Sequence, residues 1–346
     1  MSEGPYRVVQ WATGNIGLRS LRATIKHPEL ELVGLYVYSD TKAGRDAGEL
    51  CGLPPVGVRA TQDIDEVLAL RPDCVLFMPD RVDVDVLCRL LASGANVVST
   101  RSEFHRPQNL DPQVRNRLAE ACAQGGASLY STGSSPGFIT EALPYALLSL
   151  QRRLDRLLIE EFADMSSRNS PEMIFDLMGF GRDPARFDPR GVEAHGGASF
   201  AGSLATVADA LSLPLDDVVA SAAVATARQP LEIAAGQVAA GTIAAQRLEV
   251  SGLRGGKPLL TFRANWYLTR DVEPAWDLRD TGWHVVVEGD TPLDIDIRFP
   301  VAEEDWAATS PGLTAHRPVN AVPYVCAAAP GLRTTDELPQ IIPNLG

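Results

Sequence analysis

The sequence predicts an α/β protein with an N-terminal doubly wound parallel sheet, plus an α+β domain with a mostly antiparallel sheet. Three observations carry that prediction. Short apolar runs alternate with helical patterns as far as residue 131, a glycine-containing turn joins the first run to the first helix, and strand-like runs cluster beyond residue 138. Alternation at this spacing is the pattern of βαβ units, whereas strands that follow one another after a helix suggest antiparallel pairing.

Tyr6–Ala12 (YRVVQWA) reads as a strand and the pattern after it as a helix through Ile25. Leu30–Tyr38 (LELVGLYVY) is nearly continuous apolar sequence, which a parallel strand covered on both faces requires. The helical pattern EVLAL leads into a buried strand at Cys74–Met78. A helix at Val82–Leu91, a strand at Asn96–Thr100, a helix over Asp111–Gln124 with Asp111 at its N-cap and a strand at Ala127–Ser131 complete the alternation.

The texture then changes. Phe138–Leu150 is helical and LDRLLIEEFADM is a strand, followed by helices near Pro171–Gly179 and Gly197–Leu211. Strand character returns at Val218–Ala227, Arg247–Val250, Leu259–Leu268, Trp283–Glu288 and Leu293–Phe299, with turn sequences at 255–258 and 288–291 between them. Thr314–Ala329 is helical again, with limits blurred by Pro318, Pro323 and Pro330.

Composition narrows the function classes. The 346 residues carry 31 Lys plus Arg against 44 Asp plus Glu, a formal charge of −13, with 45% hydrophobic residues. That length suits two domains. An acidic chain lacks the positive field that nucleic acid or an anionic membrane surface selects, and no apolar run approaches the ~20 residues of a spanning helix. No secretory pattern opens the chain, so a cytoplasmic protein is expected. Cys51, Cys74, Cys88, Cys122 and Cys326 show no CxxC spacing and His27, His105, His195, His284 and His316 are scattered. Neither a disulfide framework nor a metal site is expected.

The strongest local signal is Ala12-Thr13-Gly14-Asn15-Ile16-Gly17, between the first strand and the first helix. This is the context of the Rossmann dinucleotide fingerprint, with Ala12 at the first glycine position. Gly14 lets the backbone approach a pyrophosphate, Gly17 permits close helix–sheet packing, and the helix N-terminus offers free N–H groups. Past the second strand, Asp40 could accept from a ribose 2′-hydroxyl, as NAD(H) requires. Ser39, Lys42 and Arg45 could instead surround a 2′-phosphate. Two cations within four positions favour NADP(H) and leave NAD(H) open. Met78 and Pro79, at the end of the fourth strand, are expected to touch the nicotinamide ribose or ring.

Beyond these local features, VVQWATGNIG, HPELELVGLYVYSDTKAGRDAGELCG and NVVSTRSEF resemble the N-terminal part of dihydrodipicolinate reductase-like proteins. More narrowly they are similar to the NAD(P)H-dependent amine dehydrogenase branch that includes 2,4-diaminopentanoate dehydrogenase. EEFADMSSRNSPEMIFDLMGFG, TGSSPGF and RPVNAVPYVCAAAPGL extend the likeness over most of the chain. The resemblance implies a Rossmann domain over residues 1–138 and an α+β domain over 139–305 with substrate contacts and a dimer interface. It implies a C-terminal segment, 306–346, that returns to the first domain.

In that branch a glutamate follows the fifth strand, in a stretch resembling TCEEL. The matching stretch here is Thr100-Arg101-Ser102-Glu103-Phe104, which makes Glu103 the candidate catalytic residue, with Ser102 in place of the first glutamate, and Thr100 a cofactor contact. TG-x-NPGF appears as Thr132–Phe138 with Ser135 for asparagine, and SSYDSP as SSRNSP with Arg168 for tyrosine. Ser135, Phe138 and Arg168 are thus candidate substrate-binding residues, with a pairing of Arg168 to Asp164 or Glu161 left open. Asn320, in VNAVP, is a candidate partner for the nicotinamide carboxamide.

A Rossmann sheet places the nicotinamide at the C-terminal strand ends, and Glu103 lies just past one. Reductive amination needs a base for the attacking ammonia, an acid for departing water and negative charge near the iminium. A glutamate of raised pKa serves the first two and its ionised form the third. His105 is expected on a solvent-facing loop, and Trp266, Tyr267, Trp276 and Trp283 in core or interface. The expected partners are a small amine or carbonyl substrate, ammonia and a second copy in a homodimer, with no nucleic acid and no membrane. A carbonyl or cyclic C=N reductase of the dihydrodipicolinate reductase type, or a non-catalytic NAD(P)-binding sensor, are the alternatives.

Overall fold

The computed structural model describes residues 4–346, apart from the side chains of His195, Glu303 and Glu304. The chain divides into two units, one running to Phe138 and resuming over Ser310–Gly346, the other covering Ile139–Thr309. In the first unit, β1 (Tyr6–Trp11), α1 (Asn15–Lys26), β2 (Leu30–Tyr36), α2 (Ala47–Leu50), β3 (Ala60–Thr61), α3 (Ile64–Ala69), β4 (Cys74–Phe77), α4 (Val84–Ala92), β5 (Asn96–Ser99), α5 (Pro112–Gly125) and β6 (Ser128–Ser131) succeed one another. The second holds α6 (Leu143–Leu148), β7 (Leu154–Asp164), α7 (Pro189–Ala210), β8 (Asp217–Ala227), β9 (Leu231–Ile233), β10 (Gly236–Val238), β11 (Ile243–Arg254), β12 (Lys257–Tyr267), β13 (Val272–Glu273), β14 (Gly282–Gly289) and β15 (Leu293–Arg298). From there α8 (Glu303–Cys326) leads to β16 (Gly331–Arg333) of the first unit.

The first sheet is a Rossmann-type doubly wound sheet in the order β16-β6-β5-β4-β1-β2-β3, and its pairings are parallel. Its register positions the site. Tyr36 pairs with Trp11, Trp11 with Phe77, Phe77 with Ser99 and Ser99 with Ser131. Five strands therefore end in one row, and the residues just after each of them emerge along one edge. One face packs Val9, Trp11, Val75, Phe77 and Val97 against Leu87, Leu90, Leu91 and Leu118 of α4 and α5. The other packs Val8, Leu76, Val98 and Tyr130 against Val319, Val322 and Val325 of α8. Burial on both faces, about 1.5–3 kcal/mol for each large side chain, explains the continuous apolar runs.

The second sheet has the order β13-β8-β11-β12-β7-β14-β15, antiparallel at every step except the parallel β12–β7 pair. α7 lies on one face, with Phe200 stacked on Phe262 at 4.0 Å. Two helices start earlier than the sequence suggests. α7 begins at Pro189 rather than near Gly197, because Asp188 caps it by accepting from the Arg190 N–H at 3.1 Å. α8 begins at Glu303 rather than Thr314 and contains Pro311, Pro318 and Pro323. The packing of Val319, Val322 and Val325 keeps it helical despite the lost N–H donors. No helix among the described residues is long and apolar enough to cross a membrane.

Candidate functional site

The glycine turn leaves β1 through Ala12, which adopts a φ of 72°. Gln10 fixes the turn from beneath, its buried amide donating to the Ala12 carbonyl at 3.1 Å and the Trp11 carbonyl at 3.3 Å. A side chain on Gly17 would place its Cβ 2.3 Å from the Ala12 carbonyl oxygen, so only glycine lets α1 approach β1 this closely. Gly14, the N-cap of α1, has open space where its side chain would be and no side-chain hydrogen bond covers this helix start. By contrast Asp63, Asp83 and Asp111 cap α3, α4 and α5. The N–H groups at Asn15, Ile16 and Gly17 thus face an uncapped helix N-terminus, which favours an anion.

The loop after β2 folds back onto this turn. Lys42 donates to the Thr13 carbonyl at 2.9 Å and to the Thr13 hydroxyl at 3.1 Å. Ser39 shares a hydrogen with Thr41 at 2.7 Å, Asp40 accepts from Gln62 at 3.1 Å, and Arg45 is exposed. The sequence groups Lys42 with Arg45; in the structure the Lys42 ammonium is bonded to Thr13 and Arg45 is exposed. Next to this loop lies a cavity of about 830 Å³ lined by Trp11, Tyr36, Tyr38, Pro79 and Val82 among others. The Trp11 ring stacks on Tyr36 at 3.7 Å and its N–H donates to the Tyr38 hydroxyl at 3.0 Å. Met78 is buried and its N–H donates to the Trp11 carbonyl at 3.1 Å.

Past β5, half-buried Thr100 leads into Arg101 and a single short turn, Ser102–Phe104. Arg101 grips the Glu103 carboxylate with two bonds, Nη2 to Oε1 at 2.6 Å and Nε to Oε2 at 3.2 Å. Its third nitrogen donates to the Asp80 carbonyl at 2.7 Å. Burial pushes the Glu103 carboxyl up, but the bonds from Arg101, the Glu103 N–H, the arginine charge and the Ser102 hydroxyl outweigh it and bring it below the ordinary value. This corrects the expectation of a raised pKa, because the guanidinium lies two residues away. His105 is also corrected. It is 3% exposed rather than solvent-facing, since the short turn carries it inward with Phe104.

Past β6, Ser131 ties the strand end to the Glu103 turn, its hydroxyl donating to the Arg101 carbonyl at 2.7 Å. Thr132 accepts from Arg317 Nε at 3.0 Å, and that guanidinium lies 5.6 Å from the centre of the Phe138 ring. The Ser135 hydroxyl oxygen is buried without a hydrogen-bond partner among the described residues. Asn320 is not brought to the glycine turn. It sits within hydrogen-bonding reach of His27, just past the last residue of α1. A helix of 12 residues, about 18 Å, separates that end from Gly14. In the second unit Arg168 follows β7 on a turn in which its N–H donates to the Met165 carbonyl at 3.1 Å, and burial lowers its guanidinium pKa. Asp164 accepts from the Ser166 N–H at 2.9 Å and Glu161 from the Trp283 indole at 3.1 Å. Tyr267 and Trp283 are buried within this unit. Arg101, Arg317 and the Trp11–Tyr36–Tyr38 cluster were not singled out from the sequence. Two signals were available: Arg101 stands in the glutamate-bearing stretch and Arg317 in RPVNAVP.

Comparison with known proteins bears on this geometry. Residues 140–344 match the family described as the 2,4-diaminopentanoate dehydrogenase C-terminal domain. The sequence is 31% identical to an amine dehydrogenase of Streptomyces virginiae over 349 residues, 96% of this chain and 95% of that protein. It is 35% identical over 63 residues to a 4-hydroxy-tetrahydrodipicolinate reductase of Synechocystis sp., covering 18% of this chain and 23% of that one. The amine dehydrogenase structure from Mycobacterium smegmatis has the same fold, with a TM-score of 0.74 and 19% identity over 99% of this chain and 98% of that chain.

Proposed function

The chain belongs to the 2,4-diaminopentanoate dehydrogenase C-terminal domain family and is an NAD(P)-dependent oxidoreductase of the amine dehydrogenase type, and from that premise we propose that Glu103 is its acid–base residue in the interconversion of a small amine with a carbonyl compound plus ammonia. The observation that carries the assignment is the common row of strand ends. It sets the Arg101–Glu103 pair on the same sheet edge as the glycine turn.

The residues fit a nicotinamide dinucleotide. Thr13, Gly14, Asn15 and Ile16 would hold the pyrophosphate at the uncapped start of α1, where Gly14 leaves room for it. The cavity bounded by Trp11, Tyr36 and Tyr38 would take the adenine, and Ser39, Asp40, Lys42 and Arg45 lie on the loop that meets its ribose. Exposed Arg45 favours NADP(H). Met78, Pro79 and Thr100 end the strands nearest the nicotinamide position. When bound, the nicotinamide supplies or accepts the hydride.

The chain's own contribution is proton handling and charge. A Glu103 carboxylate held ionised accepts a proton from the attacking ammonia while solvent protonates the carbonyl oxygen, returns its proton to the carbinolamine hydroxyl so that it departs as water, and faces the positive charge of the iminium. Ser135 and Phe138 border the same edge and are read as substrate contacts. The second unit is read as the homodimer surface, because α7 covers one face of its sheet. Light scattering at micromolar concentration should therefore give twice the chain mass.

Replacing Glu103 with Gln tests the assignment. The variant should lose about 10²–10⁴ of turnover with ammonia and a panel of ketones, while NADPH affinity stays within twofold. Full turnover in the variant would overturn it.

A further inference from the structure

We propose that Arg101 is a positioning residue for this reaction, fixing the direction of the Glu103 carboxylate and supplying the positive charge beside which it works. The inference rests on the reading of Glu103 as the acid–base residue. It concerns a neighbour that reading leaves without a role.

The guanidinium is bonded through all three of its nitrogens. Nε and Nη2 form two side-by-side bonds to the carboxylate, at 3.2 and 2.6 Å, and Nη1 donates to the Asp80 carbonyl at 2.7 Å, in the loop after β4. Its main chain is equally constrained. The Arg101 N–H donates to the Ser99 hydroxyl at 3.1 Å, that hydroxyl donates to the Phe77 carbonyl at 2.8 Å, and the Ser131 hydroxyl donates to the Arg101 carbonyl at 2.7 Å. Three neighbouring strands, β4, β5 and β6, thus fix one arginine, which in turn fixes one carboxylate. A planar fork matched to a carboxylate transmits orientation, whereas a lysine ammonium would supply charge alone.

The pair is buried enough to hold and open enough to react, with side-chain exposures of 30% for Arg101 and 41% for Glu103. Other titratable or charged groups on the packed segments include His105 and Arg106 beyond the turn, Asp80 and Arg81 after β4, Arg317 of α8, bonded to Thr132, and Tyr130 on β6, whose hydroxyl meets Thr335. Arg101 is bonded to the carboxylate through two nitrogens. Burial acts in the opposite direction on Glu103, so removing the arginine leaves that effect opposed by the Glu103 N–H and the Ser102 hydroxyl without the guanidinium.

The test uses the full chain carrying 13C-carboxyl-labelled glutamate, with the Glu103 signal assigned by its absence in Glu103→Gln. In Arg101→Met the Glu103 titration midpoint should rise by about 1–3 pH units, and it should stay near the wild-type value in Arg101→Lys. With ammonium and the fastest ketone of a panel, both variants should lose about tenfold to hundredfold in kcat, with KM and NADPH affinity within threefold. The acid limb of the pH profile should move up in Arg101→Met alone. An unchanged midpoint in Arg101→Met, or a wild-type kcat in Arg101→Lys, overturns the inference. Should Arg101→Met fail to fold, the Arg101→Lys rate decides alone. If Glu103→Gln retains turnover, the parent reading fails as well. If Glu103→Gln is inactive while Arg101→Met keeps the wild-type midpoint, the role of Arg101 alone is lost.

Discussion

Lys42 clamps Thr13. The ammonium from the loop after β2 bonds both the carbonyl and the hydroxyl of the residue that opens the glycine turn, at 2.9 and 3.1 Å. On the proposed reading of the glycine turn, it would support the pyrophosphate as a whole rather than one group on the ribose. Lys42→Ala should weaken NADPH and NADH alike, by about tenfold, the scale of a charge-assisted bond of roughly 1.5 kcal/mol. Arg45 is exposed and should act on NADPH alone, with Arg45→Ala costing about threefold to tenfold. Fluorescence titration with both cofactors checks each statement. Selective loss of NADPH in Lys42→Ala would return the ammonium to the 2′-phosphate.

The aromatic cluster makes a separate prediction about the adenine end. Trp11 is fully buried, stacked on Tyr36 and bonded to the Tyr38 hydroxyl, while Tyr38 is 55% exposed at the cavity rim. A base lying on an aromatic face gains about 1–3 kcal/mol. Tyr38→Ala should weaken NADPH, NADH and AMP by similar factors of about tenfold. Undiminished AMP binding would place the adenine elsewhere.

What the sequence made legible follows from burial. The strands of the first sheet are covered on both faces, so Cys74–Phe77 and Leu30–Tyr36 read as apolar runs, and Asp111 announced α5 through the two N–H groups it accepts from. The glycine turn was legible because Gly17 has a steric reason to be glycine. The Arg101–Glu103 contact was not, because the guanidinium is also held by the Asp80 carbonyl in the loop after β4, a partner that is distant in sequence. Asn320 and Arg317 lie three residues apart on α8, and the rotation of that helix against the sheet decides which meets Thr132. Sequence spacing carries no record of that rotation. The start of α7 is legible in Asp188-Pro189, an N-cap followed by proline, although the apolar pattern begins further on.

Arg168 yields a prediction about substrate class. Its side chain is half-buried on the turn after β7, and burial lowers its guanidinium pKa, so a substrate anion placed there would favour the charged form. If Arg168 binds substrate, a keto acid such as 4-oxopentanoate should outpace 2-pentanone, and Arg168→Ala should erase that preference by lowering the keto acid rate selectively. Unchanged discrimination would remove Arg168 from the site.

The glycine turn makes the sharpest stability prediction, because two neighbouring positions should respond with opposite signs. Ala12 holds a φ of 72°, a conformation that costs a residue with a Cβ about 1–2 kcal/mol. Ala12→Gly relieves that strain but loosens the unfolded chain by about 0.4–1 kcal/mol, so the variant should be more stable by up to roughly 1 kcal/mol. Gly17→Ala has no such freedom. Its new Cβ would sit 2.3 Å from the Ala12 carbonyl oxygen, an atom that also accepts from Gln10 at 3.1 Å and belongs to the backbone, so it has no rotamer to escape into. Relief requires α1 to move off β1, which exposes buried Leu21 and disturbs the N–H groups facing the anion site. Gly17→Ala should therefore lose about 2–4 kcal/mol in urea unfolding, together with most dinucleotide affinity. A Gly17→Ala protein of wild-type stability would show that the helix and the strand are not locked at this contact. Wild-type affinity in the same variant would move the pyrophosphate away from the start of α1.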